Sequence, residues 1–253
     1  MKVGVFDSGV GGLSVLKSLL DARLFSSIVY YGDTARVPYG SKDKDTIVRF
    51  CLEALEFFQA QNVDMLVIAC NTASAYALDS LKKRASFPVI GVITPGVIAT
   101  DNKIKDKDSQ ILVIATKATI HSNLYAAKLQ NVGFRNIQSL ATGLFVPFVE
   151  EGIFSGAPLE TLFEYYFKHI TAPPKALILG CTHFPLIADS LKNYFGKETL
   201  LIHSGEAIAQ YIQAKYNLAQ NQNLQNLEFY ASDAIETLKN TARLWLGTDY
   251  QVP

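Results

Sequence analysis

Cysteine is scarce in this chain. Three cysteines in 253 residues are too few for a disulfide framework, so free thiols in a reducing cytoplasm are expected. An excess of charge is missing too: Lys and Arg number 23, and so do Asp and Glu. A balanced chain has no electrostatic footprint for nucleic acid or for an anionic membrane surface. Nowhere do about 18 apolar residues run together, the length a membrane-crossing helix needs. The apolar stretch Val3 to Phe6 is closed by Asp7 and is too short for a signal peptide.

What is present is apolar and periodic. Hydrophobic residues make up 49%, enough in a chain of this length for one large domain or two of ordinary size. The runs KVGVF (2–6), SIVYYG (27–32), DMLVIA (64–69) and PVIGVI (88–93) read as parallel strands buried on both faces. Between them, GGLSVLKSLLDA and DTIVRFCLEALEFFQAQ carry helical periodicity. The alternation predicts an α/β fold, a parallel sheet with helices on both faces.

The pattern then restarts, with ILVIA (111–115), NIQSLA (136–141) and ALILG (176–180). Asp7 to Asp33 and Thr116 to Thr142 are both 26 residues; Asp7 to Cys70 is 63 and Thr116 to Cys181 is 65. Matched spacing predicts two similar parallel-sheet domains from an internal duplication, joined by the polar DNKIKDKDSQ (101–110). The tail holds EAIAQYIQAKY, a solvated Asn/Gln-rich loop AQNQNLQN, the strand LEFYAS and a helix ending near Trp245. It is expected to return to the first unit. The expected domains are residues 1–95 plus 207–253, and residues 96–206.

Two stretches share a local design. LVIACNTAS (66–74) and LILGCTHFP (177–185) each run from an apolar strand through a small residue to Cys, then Thr, then a helix start. In open α/β sheets ligands bind beyond the carboxyl ends of the strands. Cys70 and Cys181 fall there, with Asp7, Ser8, Asp33, Thr116 and His183. If the two units face each other, the thiols approach one cleft from opposite sides. Inversion at a carbon needs that arrangement: one group takes a proton from one face and the other delivers a proton to the opposite face. A thiol of free pKa about 8.5 can serve in either sense near neutrality, and a helix N-terminus after each cysteine favours the thiolate. A lone Cys after a strand is usually a small buried hydrophobe; the matched pair argues otherwise. Cys51, in phase with Ile47, Val48, Leu55 and Phe58, is expected in the core.

DSGVGGLS (7–14) admits two readings. Gly9-x-Gly11 between a strand and a helix, with Asp33 closing the next strand, resembles a dinucleotide-binding turn, although Ser14 replaces the third Gly. Alternatively, free backbone N–H groups hold a substrate carboxylate while Asp7 faces an ammonium group or a thiol. His183, two residues past Cys181, can polarise it or shuttle a proton. Cys-x-His without further ligands nearby is too little for a metal site. TARVPYGSK (34–42) reads as a loop over the cleft, and GLFVPFVEEG (143–152) leaves Glu150 and Glu151 both open as a site carboxylate.

Four motifs, DSGVGGLSV, GDTARVPYGSK, CNTASA and GCTHFPL, occur in this order, with the strand pattern agreeing over nearly the whole chain. Together they resemble the glutamate racemase family, cofactor-independent aspartate/glutamate racemases serving bacterial peptidoglycan synthesis. The resemblance implies an active site in the cleft between two α/β domains, a homodimer, and interconversion of L- and D-glutamate without pyridoxal phosphate, metal or other cofactor. It implies proton transfer by Cys70 for the D-enantiomer and by Cys181 for the L-enantiomer, assisted by Asp7, Glu150 and His183. It implies substrate contacts at Asp7, Ser8, Tyr39, Gly40, Asn71, Thr72, Thr182 and His183, with Thr116 and Thr119 as further contacts. One departure is His203 in LIHSGE, where a small or acidic residue is expected; it lies outside the cleft motifs. Three other functions compete: a racemase for another acid such as aspartate or a hydantoin, a clamp that binds without chemistry, and a nicotinamide oxidoreductase using DSGVGG.

Overall fold

The computed structural model describes residues 1–220 and 222–253; Asn221, within the AQNQNLQN stretch, lies outside the described residues. The described residues form nine strands: β1 (Lys2–Asp7), β2 (Ser27–Gly32), β3 (Met65–Ile68), β4 (Val89–Gly91), β5 (Ile111–Ala115), β6 (Ile137–Ala141), β7 (Ala176–Gly180), β8 (Leu200–His203) and β9 (Asn226–Ala231). They build a five-stranded sheet of order β4-β3-β1-β2-β9 and a four-stranded sheet of order β6-β5-β7-β8. Every pairing is parallel. Read from its other edge, the second sheet runs β8-β7-β5-β6, the order of β4-β3-β1-β2. One unit therefore occurs twice, and β9 is added to the first sheet beside β2.

Helices on both faces bury the central strands: every residue of β3, β5 and β7 is buried, as expected for parallel strands without a solvent face. The helix Lys44–Ala60 shows the local logic. Asp43 caps it, accepting from the Thr46 N–H at 2.9 Å and the Thr46 hydroxyl at 2.8 Å. Its face of Ile47, Cys51, Ala54, Leu55 and Phe58 is buried and packs with Val29, Leu66 and Ile68 of the sheet.

Four details differ from the sequence reading. PVIGVI is strand only through Gly91; Val92 turns into αR geometry, and the helix Ile93–Lys103 starts there with Pro95 in its first turn, a position where proline suits a helix. β8 was not anticipated, because LLIH is four residues without alternation. The DNKIKDKDSQ joint is less loose than its charge suggests. Lys103 still ends a helix, Ile104 is 5% exposed, and Asp106 accepts from the Asp108 N–H at 3.0 Å and the Ser109 hydroxyl at 2.9 Å in a side-chain-stabilised turn.

The fourth difference concerns the duplication. Phe6 pairs with Ile68, and Ala115 pairs with Gly180. Extending each register places Cys70 opposite Ser8 and Cys181 opposite Thr116. Ser8, not Asp7, is thus the counterpart of Thr116, and Asp7 corresponds to Ala115. Matching polar residues at strand ends slipped the comparison by one, and in a strand one residue is the difference between two faces. The buried carboxylate of the first unit has no equivalent in the second.

Cys51 is 1% exposed and sits among apolar side chains. Cys51→Ala is expected to cost about 1 kcal/mol of stability through lost packing, read as a lower urea midpoint with unchanged slope. An unchanged midpoint would take Cys51 out of the core.

Candidate functional site

Cys70 follows β3 and is the N-cap residue of the helix Asn71–Tyr76. Its sulfur accepts from the Ala73 N–H at 3.5 Å and its S–H donates to Ser8 Oγ at 3.5 Å. Close behind lies Asp7, fully buried, whose carboxylate accepts from the Gly9 N–H at 3.0 Å and the Thr182 hydroxyl at 3.4 Å. Burial raises the Asp7 carboxyl above its usual range, against the pull of nearby His183 and the Gly9 and Gly12 N–H groups. Burial, and next the Asp7 charge, push the Cys70 thiol up to about 12, against the Ala73 and Ser8 hydrogen bonds. The helix N-terminus does not prevail here. Desolvation of a buried sulfur outweighs one long N–H contact, so Cys70 rests as the protonated thiol.

Cys181 follows β7 and has different company. Its sulfur lies 3.7 Å from His183 Nδ1, and His183 Nε2 lies 2.9 Å from Glu150 Oε1. Burial opposes charge on His183, but its contacts with Cys181 and Glu150, and the Asp7 charge, carry its pKa up to about 10. The imidazole is therefore positioned to pass a proton to or from the Cys181 sulfur. Both adjacent glutamates are exposed, and Glu150 is the one whose carboxylate reaches His183. The indole of Trp245 meets the His183 ring edge-on at 6.1 Å between centroids.

Both thiols open onto one cavity of about 40 Å³. Its walls come from both sheets. Ser8, Tyr39, Gly40, Cys70, Asn71 and Thr72 face Thr116, Glu150, Cys181, Thr182 and His183 across it, with Val37, Pro38 and Val146 supplying apolar wall. Asp7 and Thr119 stand one layer behind. Thr119 joins Thr72 and Thr116 in a triangle of hydroxyls, with oxygens 2.9, 2.9 and 3.0 Å apart. This triangle crosses from one unit to the other.

Two expected contacts have their side chains engaged elsewhere. Tyr39 lines the cavity, but its hydroxyl donates to Asp33 Oδ2 at 2.5 Å. The Asn71 amide is held by Tyr125 and Ser204. Asp33, placed among the cleft candidates by its strand-end position, is absent from the cavity wall. It is fully buried and also accepts from Arg36 Nε at 2.9 Å and Ser232 Oγ at 2.8 Å. Asp33 thus fastens the Tyr39 loop to the end of β9.

The glycine loop rules out the dinucleotide reading. A Cβ on Gly11 would collide with Thr182 and His183, and one on Gly12 with Asp7. The space a pyrophosphate would take is filled by the second unit. Ser14, the misfit in that fingerprint, donates from its hydroxyl to the Thr182 carbonyl at 2.6 Å.

The sequence matches the Asp/Glu/hydantoin racemase family over residues 11–212. The chain belongs to that family. Among its relatives, a glutamate racemase of Campylobacter jejuni is 63% identical over 98% of this chain and 98% of its own length. The crystal structure of glutamate racemase from Campylobacter jejuni superposes with a TM-score of 0.97 at 61% identity, covering 99% of this chain and 100% of the other. A glutamate racemase from Francisella tularensis, in complex with D-glutamate, superposes at 0.86 with 35% identity, covering 99% of this chain and 95% of the other. Both belong with this chain to the racemase family, and the fold here is theirs.

Ser14, Tyr125, Ser204 and Trp245 escaped the sequence reading of this racemase-family site. Ser14 lay inside a quoted motif but was counted only as a misfit. Trp245, the single tryptophan, carried rarity as its only signal, since it reaches His183 from the far end of the chain.

A raised His183 pKa has a stability consequence. The ring gains its proton more readily folded than unfolded, so the stabilisation is fully present below the unfolded value of 6.5 and is lost as pH rises through about 10. The melting temperature should fall across that window. His183→Asn should flatten this part of the profile, which thermal melts from pH 6 to 10 can read. A profile of equal slope in the variant would refute a charged His183 in the folded site.

Proposed function

We propose that this chain interconverts L- and D-glutamate by proton transfer between Cα and two opposed thiols, Cys70 and Cys181. The supporting observation is that equivalent strand ends of two like-ordered sheets present one thiol each to a single cavity. The activity printed for the 63% identical relative, and the D-glutamate named with the Francisella structure, bring glutamate to this chain as the substrate.

In the L-to-D direction the Cys181 sulfur, its proton held by His183, takes the Cα proton. The Cα–H electron pair remains on the carbon and its carboxylate, and the Cys70 S–H delivers a proton to the opposite face. Cys70, held in the protonated form, begins as the donor. The reverse direction starts with the roles exchanged. Glu150 holds the imidazole through Nε2, and Asp7, buried behind the cavity wall, steadies Thr182. Ser8, Thr72, Thr116 and Thr182 offer hydroxyls to the substrate, with Thr119 supporting from behind. Asn71, Tyr39 and Gly40 contribute main-chain groups, since the Asn71 amide and the Tyr39 hydroxyl are engaged. The reaction as drawn has no step for pyridoxal phosphate, nicotinamide or metal.

Among the described residues no helix is long and apolar enough to cross a membrane. With three free cysteines, a cytoplasmic setting that keeps thiols reduced suits the chemistry, and D-glutamate for peptidoglycan is the product it would supply. The proposed assembly is a homodimer, for which the exposed Leu144, Phe154 and Tyr165 offer apolar surface.

The purified chain is expected to erase the circular dichroism of L-glutamate, and Cys70→Ala and Cys181→Ala are each expected to abolish this. Activity on aspartate or a hydantoin in place of glutamate would move the substrate; substantial racemisation by either variant would end the two-thiol mechanism.

Isotope placement tests the opposed geometry. In heavy water, deuterium should enter Cα of the newly formed enantiomer, with little in the remaining starting enantiomer at low conversion. Mass spectrometry of the separated enantiomers reads this. Product that keeps its original proton would point to a single base serving both faces.

A further inference from the structure

Between the two thiol-bearing segments runs a buried chain of matched hydrogen bonds. Tyr125, on the helix Leu124–Asn131, donates its hydroxyl to Asn71 Oδ1 at 2.7 Å. Asn71 Nδ2 donates to Ser204 Oγ at 3.4 Å, and the Ser204 hydroxyl donates to the Leu179 carbonyl at 3.2 Å. Asn71 directly follows Cys70, and Leu179 lies two residues before Cys181 on β7. All three polar side chains are 3% exposed. Burial raises the Tyr125 hydroxyl above its ordinary range, so it stays a donor at working pH.

We infer that this buried chain, Tyr125 to Asn71 to Ser204 to Leu179, sets the separation of Cys70 and Cys181, with Tyr125 and Ser204 as positioning residues. The inference rests on the two-thiol reading above. Its parts come from four places: the turn after β3, a helix of the second unit, the first residue of the helix Ser204–Tyr216, and β7. Losing any link of this chain costs a buried hydrogen bond. The chain therefore resists displacement of the segments it joins. Neither Tyr125 nor Ser204 lines the cavity, so neither touches the substrate. Their effect is on where the sulfurs sit, and displacements near 1 Å at a reacting centre cost about 10²-fold in rate.

Tyr125→Phe and Ser204→Ala each remove one hydroxyl. Each is expected to lower kcat in both directions by roughly 10- to 100-fold while KM changes by less than about threefold. The double variant should lose less than the product of the single losses, because both act through Asn71. The specific readout is isotopic. With the far thiol displaced, a carbanion formed at one face is more often reprotonated on that face after the near thiol exchanges with solvent. In heavy water the deuterium in recovered starting enantiomer, relative to product, should rise in both variants above the unmodified chain. A packing role alone would lower the melting temperature and leave that ratio unchanged.

If the unmodified chain racemises glutamate and both folded variants keep its kcat and isotope ratio, the positioning role is overturned and the activity stands. If the unmodified chain does not racemise glutamate, the activity is overturned and the inference with it. Should Tyr125→Phe fail to fold, Ser204→Ala decides. Failure of both to fold would mark the network as a folding device and overturn the inference.

Discussion

The Ser14 hydroxyl meets the Thr182 carbonyl at 2.6 Å, and the character of the cavity follows from that approach. It holds the glycine loop of the first unit against the turn carrying Cys181 and His183. Two open sheets would otherwise present their carboxyl ends to water. Pressed together, they enclose a space in which desolvation raises Asp7 and Cys70. Gly11 and Gly12 are what permit it, since any side chain there would meet Thr182, His183 or Asp7. A motif that reads as a phosphate cradle in another sheet is here the contact surface between two units.

That contact makes a duplicated architecture chemically unequal. The thiols occupy equivalent places, yet Cys70 has the buried Asp7 behind it and Cys181 has His183 with Glu150. In the strand register Asp7 corresponds to Ala115 and His183 to Thr72. Each unit therefore carries one assisting group that the other lacks. A carboxylate near a buried sulfur favours the protonated thiol, whereas an imidazole next to a sulfur offers a place for its proton. Such inequality suits a reaction in which one group must start with a proton and the other without.

Much of the fold was legible in the residues. Apolar runs of strand length between helical periods could only be parallel strands, and the repeated spacing of strand ends exposed the duplication. β8 and the short β4 were less legible, because brief apolar runs carry no period to separate strand from turn or helix. The one-residue slip between Asp7 and Thr116 arose because residue type was matched where only pairing fixes register. At the site, both cysteines, His183 and Thr116 could be placed from their positions after strands, whereas Thr72, Thr119 and Thr182 came only with the family resemblance. Which of Glu150 and Glu151 reached inward could not, since adjacent residues on a short helix differ only in the face they turn.

The amino-acid sequence by itself determined which groups of this protein lie at strand ends: two thiols in like settings, a carboxylate before a glycine loop, and a histidine beside one thiol. These are local consequences of chain order, because a strand followed by a helix turn places its last residues in one predictable location. Tertiary structure alone decided their state and company. It buried Asp7, raised Cys70, turned the Tyr39 hydroxyl onto Asp33, tied Asn71 to Tyr125 and Ser204, and brought Trp245 to His183. Those outcomes depend on contacts between residues far apart in the chain and on loss of water around them, and no local pattern encodes either.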